Sequence, residues 1–220
     1  MKPAAVFDLD GTLIRGTSAE RLLVPHLVRH GIVGVRQLTA ALGVAATVVL
    51  VGRTRALRRN KRWLAGVEVA AVLETMEGFL DQVVSPRWCA GTVARMAELK
   101  ERGVATFVLS GAPDFVVRAV GARLGADGVV GTPMEVRQGR FTGRLAGPHC
   151  FAEAKRDALM ALAREHDLDL GSSWGFADHP SDVAFLECFG RAVVVGASAR
   201  LRRVAEERGW AVAGCEAGVG

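Results

Sequence analysis

Proline is scarce in this 220-residue chain, at 7 positions, and no internal repeat or low-complexity linker accompanies its 26 glycines. With half the residues hydrophobic and 23% charged, collagen-like and disordered polymers are excluded. Cysteine is rarer still. Cys89, Cys150, Cys188 and Cys215 form no CxxC pair and have no histidine at zinc-ligand spacing, so a structural zinc site is disfavoured. A disulfide scaffold is unnecessary, because a chain of this length buries a core without staples. The expectation is four small buried hydrophobes in a reducing compartment. Apolar runs of bilayer length are missing as well. Residues 38–52 (LTAALGVAATVVLVG) fall short of the roughly 20 needed to cross a membrane and read as a buried or interfacial helix. Asp8 arrives before a stretch of signal-peptide length can form, and a cytoplasmic protein is expected.

Acidic side chains are absent from Arg21 to Val67, a segment that holds nine basic residues. The whole chain carries a formal charge of +5, so everything outside that segment is net negative. Six of the nine crowd into Arg53 to Arg62 (RTRALRRNKR), directly after the apolar run. That juxtaposition suits a helix lying on an anionic membrane surface. A solvated helix face is the plainer alternative, and both readings stand at this point. Trp63 is the only aromatic residue of the segment. Single-strand binders stack bases on interleaved aromatics, so nucleic acid is disfavoured as a partner.

Among what is present, residues 4–10 (AAVFDLD) form an apolar run ending in carboxylates, and residues 104–110 (VATFVLS) form another ending in Ser110. Both read as buried strands that deliver polar groups at their C-terminal ends. Between them, residues 16–84 are mostly helical, with residues 46–51 an ambiguous strand, and are too long for an ordinary loop. Helices are expected over 87–102, where Ser85 and Pro86 precede and Gly103 follows, and over 114–124, 152–166, 181–188 and 199–208. Strands are expected over 128–131, 173–178 and 192–196, with a hairpin over 135–145 turning at Gln138 and Gly139. The alternation predicts an α/β fold: a doubly wound, mostly parallel Rossmann-like sheet that binds ligands beyond the C-terminal strand ends. Residues 1–15 and 85–220 would form this core, with residues 16–84 inserted as a helical cap.

Four places on that rim carry chemistry. Asp8 and Asp10, two apart on an extended strand, point to the same face, and their mutual repulsion calls for a hard cation such as Mg²⁺. An EF-hand is excluded because the sixth position from Asp8 is Leu13, not glycine. Ser110 and Gly111 end a strand before a helix, where a hydroxyl and free amides grip an anion with help from the helix dipole; an N-cap serine is the alternative. Lys155 lies in the first turn of a helix, an unfavourable place for a cation without an anionic partner. Asp178 and Asp182 (DHPSD) follow the strand over 173–178, where an N-cap and a solvated carboxylate would look the same.

DLDGTL at 8–13, SGAP at 110–113, Lys155 and DHPSD at 178–182 resemble the four ordered motifs of the haloacid dehalogenase-like superfamily. The helical insertion, the segment FTGRLAGPHC at 141–150 and the ending LRRVAEERGWAV at 201–212 further resemble its phosphoserine-phosphatase-like branch, subfamily IB. The resemblance spans nearly the whole chain and is weakest in the cap. It implies phosphomonoester hydrolysis through an aspartyl-phosphate. Asp8 would be the nucleophile and Asp10 the general acid and base, while Ser110 and the Gly111 amide would clamp phosphate and Lys155 would quiet charge. Asp8, the Asp10 carbonyl and Asp178 would hold Mg²⁺, supported by Asp182.

Two departures matter. Phosphoserine phosphatases carry a glutamate nine residues after the nucleophile for the substrate amino group. Here that position is Thr17, with Glu20 three further on, which puts a dedicated phosphoserine enzyme in doubt. His179 replaces the usual small residue after the first aspartate of the fourth motif and reads as a surface or cap-facing imidazole, with a pH-sensitive modulator as the alternative. The expected partner is a small phosphorylated substrate. The alternatives are a lipid or lysolipid phosphate met at the membrane surface through the basic cap, and a non-catalytic anion-binding module.

Overall fold

The computed structural model describes residues 1–50, 61–196 and 198–216. Six parallel strands form one sheet: β1 (Ala4–Phe7), β2 (Ala105–Pro113), β3 (Gly128–Thr132), β6 (Trp174–Ala177), β7 (Arg191–Val195) and β8 (Ala211–Ala213), in the order β3-β2-β1-β6-β7-β8. β4 (Met134–Arg137) and β5 (Arg140–Leu145) form a separate antiparallel hairpin. It turns at Gln138 and Gly139, both with positive φ, as a two-residue hairpin turn requires. β1 lies at the centre, pairing Val6 with Phe107 on one side and Gly175 on the other. Every residue of β1 is buried, because helices cover both faces and a parallel strand so placed reads as a continuous apolar run.

Alternation along the strands sorts side chains between two cores. Ala5 and Phe7 join Val108, Phe176 and the helical segment inserted after β1, whereas Ala4 and Val6 join Phe107, Leu109 and the helices on the opposite face. At the register pair Phe7 and Phe176, the two rings stack with centroids 4.3 Å apart.

The segment between β1 and β2 contains α1 (Ala19–Arg29), α2 (Val35–Leu50), α3 (Val69–Glu74) and α4 (Met76–Phe79), followed by a π-helical turn over Leu80–Val84. Ser18 caps α1 by accepting the Arg21 amide. Leu23, Leu27, Trp63, Leu64 and Phe79 bury their side chains in the same core as Phe7. The hairpin holds the segment too, since the amides of Gly66 and Val69 donate to the carbonyls of Phe141 and Gly139. The remaining helices are α5 (Ala90–Glu101), α6 (Asp114–Leu124), α7 (Glu153–Glu165), α8 (Val183–Leu186) and α9 (Ala199–Arg208).

Several local expectations need correction. The helix expected from 87 starts at Ala90: Ser85–Arg87 is a separate 3-10 turn, and the Cys89 amide is spent on the Leu13 carbonyl. The ambiguous strand at 46–51 is helical through Leu50, and β8 was not anticipated. The helix expected over 181–188 is a 3-10 turn, Pro180–Asp182, running into α8. Most consequentially, Cys89 and Cys215 are joined in a disulfide, leaving Cys150 and Cys188 as free thiols. The expectation of four unpaired cysteines fails because the fold carries the chain end back to the start of α5, 126 residues away in sequence. Residues 53–60, most of the basic cluster, lie outside the described residues. No helix among the described residues is long and apolar enough to cross a membrane.

Candidate active site

The chain runs from β1 outward to β3 on one side and from β6 to β8 on the other, so the strand order reverses between β1 and β6. That is where open α/β sheets bind ligands. Asp8 follows β1 directly, its amide donating to the Phe176 carbonyl of β6. Asp178 follows β6 directly. Between Leu9 and Ile14 the chain folds into a tight turn in which the Leu13 and Ile14 amides both donate to the Leu9 carbonyl. Gly11 is required there twice over. Its φ is +85°, and a Cβ would stand 2.0 Å from Asp178 Oδ2.

Lys155, buried in the first turn of α7, extends its ammonium to 2.6 Å from Asp8 Oδ1 and 3.2 Å from Asp182 Oδ1. Asp8, Asp178 and Asp182 each bring a carboxylate oxygen within 4.8 Å of the others. Three carboxylates against one ammonium leave two negative charges in a buried space, a balance that a divalent cation closes. Asp178 Oδ1 is buried and has no hydrogen-bond partner among the described residues. An orphaned acceptor aimed into an acidic trio fits a metal ligand. Asp10 turns its carboxyl away from the trio, its Oδ1 accepting the Ala19 amide at the start of α1, 2.7 Å away.

Burial raises the pKa of Asp8 to about 8 despite the pull of Lys155, with Asp182 and Asp10 pushing the same way. Asp178 rises to about 7, through burial first and Asp182 second. Asp10 rises to about 6, chiefly through burial. Burial works against the Lys155 ammonium, but Asp8 and Asp182 outweigh it and the pKa is raised. Asp8 and Asp178 therefore hold protons near neutrality unless a cation takes their place. Burial also lifts the Cys150 thiol beside it to about 12, which removes it as a nucleophile.

Ser110 and Gly111 are placed differently from the sequence expectation. They belong to the end of β2, four and three residues before α6 respectively, whose N-cap is Pro113. The serine is thus neither an N-cap nor at a helix N-terminus. Its hydroxyl accepts the Ala112 amide at 3.2 Å. A Cβ on Gly111 would meet the Cys150 carbonyl oxygen at 3.2 Å, so glycine lets the loop before α7 close down on the strand end. His179, exposed, accepts the Ser181 amide through Nδ1.

A cavity of about 1090 Å³ takes in all seven sequence-predicted residues: Asp8, Asp10, Ser110, Gly111, Lys155, Asp178 and Asp182. Its other wall comes from the inserted helical segment, with Glu20, Lys61 and Trp63. Lys61 went unnoticed as a site residue because it sits inside a run of like charges, where only burial could single it out. It is 1% exposed and ion-paired to Glu20, so it is no part of a solvated basic face.

A family model for haloacid dehalogenase-like hydrolases matches residues 5–187. The phosphoserine phosphatase SerB1 of Mycobacterium tuberculosis is 29% identical over 215 residues, covering 95% of this chain and 70% of its own. A crystal structure of a Bordetella pertussis protein of unknown function superposes with a TM-score of 0.84 at 24% identity, over 98% of this chain and 99% of that one. The apo form of a phosphoserine phosphatase has a TM-score of 0.68 at 20% identity, over 99% and 96% of the two chains, and so shares the fold. With its motif-bearing strand ends gathered at one sheet crevice and the family match running across most of its length, the chain belongs to the haloacid dehalogenase-like hydrolases.

Proposed function

We propose that this protein is a Mg²⁺-dependent phosphatase that hydrolyses a small phosphomonoester through a phosphorylated Asp8. Residues 16–84 act as a cap over a catalytic core made of residues 1–15 and 85–220. The observation that carries the reading is the Lys155 ammonium held between Asp8 and Asp182, beside the orphaned Asp178 carboxylate. A carboxylate attacking a phosphate dianion is opposed by Coulomb repulsion, and this cluster is built to relieve it. Asp8, Asp178 and the Asp10 carbonyl would hold Mg²⁺, supported by Asp182, and the ion would neutralise phosphate charge.

The chain's own groups divide the remaining work. Ser110 and the Gly111 amide bind phosphate oxygens, and Lys155 screens the approach of Asp8. An Asp8 carboxylate oxygen bonds to phosphorus as the ester P–O bond breaks, and Asp10, kept protonated by burial, gives its proton to the departing oxygen. Asp10, now a carboxylate, takes a proton from the water that attacks the aspartyl-phosphate. Phosphate leaves, and both aspartates return to their starting states. The cap limits water around the intermediate.

Hydrolysis of p-nitrophenyl phosphate tests this directly. Activity should require Mg²⁺, vanish with chelator and vanish in Asp8→Asn. Equal turnover by that variant would remove Asp8 from the role of nucleophile, and absence of any turnover in the wild type would favour a non-catalytic anion-binding module.

A further inference from the structure

The cap-side wall of the cavity places a charged pair beside the chemistry. The Ala19 amide is bonded to Asp10 Oδ1 at 2.7 Å, so Glu20 follows directly on the residue that holds the group proposed to protonate the leaving oxygen. Its carboxylate is held from both ends: Oε1 accepts Trp63 Nε1 at 2.8 Å and Oε2 is ion-paired with Lys61 Nζ. The Lys61 side chain is 2% exposed and that of Glu20 26% exposed, so Glu20 is the member of the pair open to a ligand. All three residues line the same cavity as Asp8 and Asp10.

We propose that Glu20 and Lys61 together select the leaving group of the substrate, and that they select an uncharged hydroxylated group over an ammonium group. The inference rests on the phosphatase reading above and deepens it by naming the substrate class, a phosphate ester of a hydroxyalkyl or polyol alcohol.

The physical reason is that the pair is net neutral, so Glu20 offers a ligand an acceptor without offering it a net negative charge. A carboxylate has about four acceptor positions, so after the Lys61 and Trp63 contacts Glu20 keeps capacity to spare. A hydroxyl donates to Glu20 without giving up the hydration of a charge. An ammonium must give up that hydration to bind, and it meets the charge of Lys61. An ammonium within hydrogen-bond reach of Glu20 stands at only about twice that distance from Lys61. Because Coulomb energy falls inversely with distance, roughly half its attraction to the carboxylate is cancelled. A glutamate left alone in this wall would favour the ammonium; with the buried lysine behind it, the attraction that remains no longer offsets the ammonium's lost hydration, and the hydroxyl is preferred.

Two isosteric esters separate the cases: 2-hydroxyethyl phosphate and O-phosphoethanolamine, which differ only in a terminal hydroxyl or ammonium. The wild type should give at least a tenfold higher kcat/KM for the hydroxyl ester. Lys61→Met exposes the charge of Glu20 and should shift the ratio at least tenfold toward phosphoethanolamine. Glu20→Gln combined with Lys61→Met removes both charges and should bring the ratio near one. A wild-type preference for phosphoethanolamine, or equal use of both, overturns the inference. So does a folded Lys61→Met with an unchanged ratio, or turnover of p-nitrophenyl phosphate with neither alkyl ester accepted. If Lys61→Met does not fold, the wild-type ratio decides alone. Loss of all turnover, p-nitrophenyl phosphate included, is a failure of the phosphatase reading and is recognisable as such.

Discussion

The ammonium of Lys155 stands 2.6 Å from Asp8 Oδ1, with both side chains closed off from solvent. Neither charge is tolerable there without the other. Removing one member of a buried pair leaves an uncompensated ion, at a cost of about 3–5 kcal/mol. The same contact lies where phosphate charge must be met.

Lys155→Met should therefore cost both stability and rate. A turnover loss on the order of 10²–10³-fold is expected, the size seen when one preorganised electrostatic group is removed. Lys155→Arg should rescue little, because a planar guanidinium does not fill the place of a compact ammonium packed over the Phe185 ring. Steady-state kinetics on the folded variants measures this, and near-wild-type turnover by Lys155→Met would remove the lysine from the site.

The raised pKa values of Asp8, Asp10 and Asp178, at about 8, 6 and 7, set how metal-free stability depends on pH. Each folded-state value lies above the ordinary carboxylate value of 3.8, so between about pH 4 and 8 the native state binds more protons than the unfolded chain. Stability from these groups is then fully present below about pH 4 and is lost as pH rises through 6 to 8. Mg²⁺ competes with the protons on Asp8 and Asp178, so its stabilising effect should grow across the same window. Thermal melts at pH 6, 7 and 8, with chelator and with excess Mg²⁺, provide the check. A metal-induced shift that shrinks as pH rises would contradict the assignment of Asp8 and Asp178 to one cation-binding cluster.

How much of this was legible beforehand depended on how local each feature is. Asp8 and Asp178 could be placed because a buried strand followed at once by an acid is a feature of a few adjacent residues, and parallel-sheet geometry sends strand ends to one rim. The inserted helices, α6 and the hairpin turn at Gln138 and Gly139 follow from comparably short-range signals. Ser110 and Gly111 were put too close to a helix start, because nothing local says that β2 continues to Pro113. Lys61 was hidden for a different reason: its partner, Glu20, comes from 41 residues earlier in the chain. The pairing of Cys89 with Cys215 depends on the last strand closing the sheet edge, the least local event in the chain.

Asp10 leads to a sharper kinetic expectation. Burial keeps it protonated up to about pH 6, and only the protonated form can donate to an alkoxide leaving group. Release of alcohol from an alkyl phosphate in a single turnover should slow as pH rises above that value. Asp10→Asn should lose this limb and about 10²–10⁴-fold in rate, the range typical of a positioned general acid. p-Nitrophenyl phosphate, whose leaving group needs little help, should suffer less. An Asp10→Asn variant that keeps the wild-type pH profile would show that another group supplies the proton.

The disulfide makes the last prediction, because of what it fastens. Cys215 follows β8, and its carbonyl accepts the Gly91 amide while Glu216 pairs with Arg15 at 2.8 Å. Arg15 and Cys89 lie on the two chain segments that connect the sheet to the inserted helices, and these segments are bonded to each other through the Arg15 amide and the Arg87 carbonyl. The tail thus ties both connections to the far edge of the sheet. Closing a loop of 126 residues restricts the unfolded chain enough to contribute about 2–4 kcal/mol. For a protein of this size that corresponds to a Tm change on the order of 5–15 °C. Melts with and without dithiothreitol should show it, and Cys215→Ser should melt like the reduced wild type and be insensitive to the reductant. If reduction leaves Tm unchanged, the bond contributes nothing to folding, and the ion pair and backbone contacts of the tail alone hold the two connections.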